Sequence, residues 1–129
     1  MMLTCSVELP GSDAPNPDLD VSDLLRAWIR IWARWLHRHP EFPLLYSSGV
    51  RYEPEVTEQW QAPPTTLRRG YGDCEDLTVW RGAELVARGV AVAPRCIGRR
   101  TVGGGYTQHV SLVYPDGRTE DPSIILLRE

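Results

Sequence analysis

From Val21 to His39, the residues Leu24, Leu25, Trp28, Ile31, Trp32, Trp35 and Leu36 recur at helical spacing. Side chains three and four positions apart lie on one side of a helix, so this run predicts a helix with one broad apolar face. Asp20 or Ser22 can cap its start, and Pro40 forbids its continuation. Such a face has to be covered by a second layer, and that demand sets the architecture. The chain has 129 residues, 42% apolar and 24% charged. A domain of this size buries roughly two-thirds of its unfolded surface and needs no staples.

On another face of the same helix, Arg26, Arg30, Arg34 and Arg38 repeat every four residues, with no acid between Leu24 and Pro40. The ordinary reading is a solvated face. The functional reading is a partner surface for nucleic acid, a phosphate-rich wall polymer or another protein. The formal net charge of −3 gives no overall pull toward nucleic acid or an anionic membrane, which favours a protein partner.

Residues 2–9 suit a short strand, and Pro10–Asp20 reads as a loop. Residues 40–70, rich in Pro, Thr and Ser, read as irregular, with a strand near Gly49–Tyr52. A second helix is expected over Cys74–Arg88, stopped by Gly89. Beyond it the pattern turns to strands, over Val90–Arg100, Tyr106–Tyr114 and Arg118–Leu127. Gly103–Gly105 and Pro115–Gly117 are the turns between them. The expected class is α+β, helices packed on an antiparallel sheet.

No apolar run approaches the roughly 20 residues that span a bilayer, and no signal peptide is evident. Three cysteines, Cys5, Cys74 and Cys96, are too few and too odd for a disulfide framework. A reducing, cytoplasmic setting is the expectation, with assembly into a virion as the alternative.

The chemistry concentrates in Gly72-Asp73-Cys74-Glu75-Asp76, where a Gly-containing loop turns into a helix. The first turn of a helix presents unpaired N–H groups and a partial positive charge. Both favour a thiolate, and the N–H groups can hold an oxyanion. A thiolate nucleophile also needs a base and an orienting group. His109 lies in the strand Tyr106–Tyr114, and Asp121 lies past the next turn. If Pro115-Asp116-Gly117 is a three-residue hairpin loop, Tyr114 pairs with Arg118 and Ser111 with Asp121. Asp121 is then a same-face diagonal neighbour of His109, about 7–8 Å away between backbones. A two-residue loop would put it on the other face.

The run from Arg69 to Leu77, followed by a helix and then by His109 and Asp121 on successive strands, resembles transglutaminase-like proteins. Within these it is most similar to the bacterial transglutaminase-like cysteine proteinases, and it also looks like small phage-encoded members. The resemblance covers roughly residues 60–125. It implies one transglutaminase-like domain over 1–129, with an N-terminal helical part at about 20–40 and a catalytic core at about 60–127. It further implies a papain-like core with Cys74 as nucleophile, His109 as base and Asp121 as orienting carboxylate. The activity implied is cysteine hydrolysis of peptide or isopeptide bonds through a thioacyl intermediate, with a protein or peptide as substrate. Transamidation uses the same triad with an amine as acceptor. A non-catalytic interaction module, for example in a phage particle, is the alternative from a different class.

Each residue has a plainer reading. A cysteine is usually a small buried hydrophobe, a strand histidine usually a satisfied structural residue, and Asp121 before Pro122 suits a turn. Cys5 and Cys96 have no helix-start position and read as inert. Asp73, Glu75 and Asp76 stabilise a helix start; some members of the family bind calcium through acids flanking the cysteine, and these three are the candidates here. They also oppose thiolate formation. No zinc motif is present, and no cofactor is required. Trp60, Gln61 and Tyr71 are the candidates for a second oxyanion donor.

Overall fold

The computed structural model describes residues 6–10, 16–54, 59–100, 102–103 and 106–127. Helix α1 runs Pro17–Arg38, earlier than expected. Its cap is Asn16, whose side chain accepts the Leu19 N–H at 3.2 Å, and Pro17 occupies the first helical position. Proline is tolerated there because that N–H has no helical partner anyway. Ser22, one of the two expected caps, instead donates to the Asp18 carbonyl and accepts the Cys96 N–H. The buried residues are Leu25, Ile29, Ala33 and Leu36. Ile31, expected on the apolar face, is 46% exposed, while Ile29 and Ala33 take the central positions. The tryptophans flank this stripe, Trp28 against Trp32 and Trp32 against Trp35 edge to face, and Trp35 stacks on His39.

After a 3₁₀ turn at Leu45–Ser47 comes strand β1, Arg51–Tyr52. Helix α2, Pro63–Arg69, lies inside the stretch expected to be irregular. Its two leading prolines are compatible with a first turn, and Gly70, at φ 81°, closes it. Strand β2, Tyr71–Gly72, runs parallel to β1 and pairs Tyr52 with Gly72. Helix α3, Cys74–Ala87, begins at the expected residue and ends with a glycine cap: Gly89 at φ 85°, with Val90 N–H returning to the Leu85 carbonyl.

Strands β3, Ala93–Arg100, and β4, Tyr106–Val113, pair antiparallel, and β5, Thr119–Glu120, adds to the other side of β4. The β4–β5 loop is the three-residue type: Tyr114 N–H bonds the Arg118 carbonyl at 2.8 Å, and Gly117 has φ 91°. The last strand does not reach Leu127. It stops at Glu120, because Pro122 cannot donate to a ladder and Asp121 caps a short helix α4, Pro122–Ile125. Residues 6–9 form no strand; residues 2–5, Gly11–Pro15 and Gly104–Gly105 of the expected segments lie outside the described residues.

The result is a mixed α and β fold in which α1 and α3 pack together against the three-stranded sheet. One apolar cluster joins Leu25 and Ile29 of α1 to Val79 and Leu85 of α3 and Val110 and Leu112 of β4, and it includes Cys74. A second centres on Trp80, Leu77 and Leu45. The α1–α3 crossing is close at Gly82, where an added Cβ would lie 2.8 Å from Ile29 Cδ1. Among the described residues, no helix is long and apolar enough to cross a membrane.

Candidate active site

The residues before Cys74 fix where the helix can begin. Asp73 accepts the Asp76 N–H at 3.1 Å, and Asp76 returns the bond to the Asp73 N–H at 3.1 Å. This capping box satisfies two of the end groups a helix leaves open. Gly72 has no room for a side chain: a Cβ there would lie 3.0 Å from Asp76 Cβ and 3.1 Å from Thr66 Cγ2. Asp76 also accepts the Gln61 backbone N–H at 2.6 Å and the Gln61 side-chain amide at 2.9 Å. Burial and the neighbouring Asp73 charge push the Asp76 carboxyl up to about 7, against the Gln61 and Asp73 donors that favour its charged form.

Cys74 stands at the first turn of α3 but is only 8% exposed. Its thiol donates to Glu75 Oε2 at 3.4 Å. Thr78 Oγ1 donates to the Val110 carbonyl at 3.3 Å, which ties α3 to β4 beside the cysteine. Burial, and then the Glu75 carboxylate, push the thiol well above its ordinary range, outweighing the lowering effect of the Val110 backbone. The resting group is therefore a thiol, and the helix start alone does not ionise it.

His109 and Asp121 are brought together. His109 Nε2 is hydrogen-bonded to Asp121 Oδ2. The other carboxylate oxygen, Oδ1, accepts the N–H groups of Ser123 at 3.0 Å and Ile124 at 3.4 Å. Asp121 thus binds the ring with one oxygen and caps α4 with the other, where the sequence suggests a turn as its plainer role. The ladder ends with Leu112 paired to Glu120; one residue beyond it in each strand direction, Ser111 and Asp121 stand opposite by the same count, which makes His109 the diagonal neighbour of Asp121. The His109 side chain is 51% exposed and that of Asp121 18%. Side chains alternate along β4, so Val110 faces the core and the thiol side while His109 faces outward. No hydrogen bond joins thiol to ring; the thiol is bonded to Glu75 and the ring to Asp121.

Tyr52 was not singled out from sequence. The parallel β1–β2 pairing sets it beside Gly72. Its phenol is pushed up by burial and then by the charges of Cys74, Asp73, Glu75 and Asp121, so one ring sits within electrostatic reach of both halves of the site. Only a long-range pairing puts it there, and nothing in the local sequence signals that. Of the three oxyanion candidates, Gln61 is committed elsewhere: its amide donates to Asp76 and to the Tyr71 carbonyl at 3.4 Å. Trp60 packs against the apolar cluster that contains Cys74.

The expected calcium residues have other duties. Asp73 and Asp76 bond each other's backbone, and Glu75 accepts the thiol. Among the described residues, no group of three or more His, Cys, Asp or Glu is arranged to hold a metal ion. Cys96 is a buried cysteine of β3 outside any disulfide, and Cys5 lies outside the described residues. Compared with protein-family models, curated proteins and solved structures, the chain matches none of them.

Proposed function

We propose that this chain is a cysteine hydrolase with a transglutaminase-like, papain-like core, cleaving peptide or isopeptide bonds through a thioacyl intermediate. The observation that carries the reading is the His109–Asp121 bond, formed on strand β4, which Thr78 of the cysteine-bearing helix ties down at Val110. Asp121 engages Nε2, which leaves Nδ1 as the nitrogen that takes the Cys74 proton. The thiolate then attacks the scissile carbonyl, and the Cys74 N–H, with no acceptor inside its own helix, faces the developing oxyanion. The imidazolium returns its proton to the leaving amine. Water, activated by the neutral ring, hydrolyses the thioester and frees the sulfur. An amine in place of water would make the same cycle a transamidation.

For the first step the thiol has to leave Glu75 and turn toward the ring. That bond also supports a second reading, a non-catalytic interaction module in which a buried thiol and a carboxylate form part of the core. A fluorogenic acyl-peptide panel and a thiol-directed acyl probe decide between them. Covalent capture of the probe on Cys74, abolished in His109→Ala, supports the hydrolase. A folded protein whose Cys74 captures no probe in either form contradicts it.

A further inference from the structure

A second surface lies away from this site. Between α1 and the C-terminal end of α3 runs a groove of about 460 Å³. Its apolar floor is Ile29, Val86, Val90, Val92 and Pro94, and Arg26 and Arg30 stand at its rim. Both arginines are exposed, and among the described residues neither has an ion-pair partner; no acid lines the groove. The four-residue arginine repeat does not make one straight row. Each step of four overshoots a full turn by about 40°, so Arg34 and Arg38 swing away, and only the first two reach the groove. A smaller hollow of about 230 Å³ lies farther along α1, lined by His37 and Arg88 among others. Its one acid, Glu84, is already bonded to the Leu45 N–H and to Arg81.

We propose that this groove binds an acidic amphipathic helix of a partner protein, with carboxylates on Arg26 and Arg30 and aliphatic side chains on the Val90–Pro94 floor. Three observations select that occupant. The outer edge of β3 is closed to an added strand: Ser22 takes the Cys96 N–H, Asp18 takes the Gly98 N–H, and Pro94 has none. The partner therefore docks by side chains. Arg26 and Arg30 are separated by about 6 Å along the helix axis, the spacing of two acids at i and i+4 on a facing helix. Nucleic acid fits poorly, because the floor has no aromatic ring for base stacking and the net charge is −3.

The test is fluorescence anisotropy of the full chain with a labelled amphipathic peptide carrying Glu at i, i+4 beside a Leu face. Comparison probes are its sequence-scrambled isomer, polyglutamate and a single-stranded oligonucleotide. Only the amphipathic peptide should bind well. Arg26→Gln with Arg30→Gln should weaken it about tenfold, the loss of two modest charge pairs. Ala91→Glu, an exposed position in the groove, should weaken it similarly. Arg34→Gln with Arg38→Gln should leave it unchanged. Equal weakening by the second arginine pair, equal binding of polyglutamate or the oligonucleotide, or no peptide binding would overturn the proposal. So would a dimer in sedimentation that Arg26→Gln with Arg30→Gln disperses, since a second copy would then fill the groove.

Discussion

One carboxylate oxygen of Asp121 holds the His109 ring while the other caps the helix that begins at Pro122. The same residue therefore caps α4 and holds the His109 ring, and substitutions can separate the two roles. Asparagine caps a helix about as well as aspartate, whereas alanine costs about 1 kcal/mol. Asp121→Asn should unfold in urea close to the parent midpoint, and Asp121→Ala should be less stable by about that amount. Both should slow alkylation of Cys74 at neutral pH, because the imidazolium loses its carboxylate. An Asn variant that alkylates at the parent rate would leave Asp121 with its capping role alone.

Glu75 adds to burial in holding the Cys74 thiol protonated. Burial is the larger cause of the raised thiol pKa, and the Glu75 carboxylate is the next. Glu75→Gln removes that charge and keeps the shape. The curve of alkylation rate against pH should move to lower pH, with faster modification at neutral pH than in the parent. A curve that stays in place would mean that burial alone sets the thiol.

Asp76 couples the site to pH. Its carboxyl is raised to about 7 in the fold, whereas an unfolded aspartate titrates near about 3.9. The folded state thus holds this proton more tightly. The stability it contributes is complete below about pH 3.9 and is lost as pH rises through about 7. Asp76→Asn should lack that decline in urea midpoint between these limits. It should also be less stable by about 1–3 kcal/mol at low pH, because its amide faces a donor from Gln61 or Asp73. A variant with the parent's pH dependence would assign the titration to another group.

Gly72 is required by space. A Cβ would lie 3.0 Å from Asp76 Cβ, which is anchored directly to the helix backbone and has to give by a few tenths of an ångström. Gly72→Ala should cost about 1–3 kcal/mol, the usual range for overpacking. It should also perturb Cys74 reactivity, because the capping box moves with the strain. Calorimetry and alkylation rate read the two effects, and a stable variant with parent reactivity would show that the loop yields freely.

The parts of the site that were legible in the sequence rest on local rules. Cys74 at a helix start follows from the loop-to-helix change, and the diagonal of His109 and Asp121 follows from one turn, Pro115-Asp116-Gly117. Where prolines stood, the reading went astray in one direction. Pro17 reads as a loop residue, Pro63 as part of an irregular stretch and Pro122 as part of a strand, but each occupies a first helical turn, where its missing N–H costs nothing. The remainder depends on distant contacts. Tyr52 reaches the site through a parallel pairing with β2, and the Glu75 side chain turns onto the sulfur beside it because the helix start is buried. Neither leaves a periodic signal in the chain.

The central claim is that His109 acts as the base for Cys74, and it is tested without knowledge of the substrate. The measurement is the rate of Cys74 alkylation against pH for the parent and for His109→Ala, with circular dichroism confirming that both are folded. An assisting imidazole gives the parent a component of reactivity at neutral pH. In His109→Ala only the alkaline rise of an unassisted, buried thiol should remain. Superimposable curves would contradict the account, because Cys74 would then be an ordinary core thiol beside an unrelated His109–Asp121 pair.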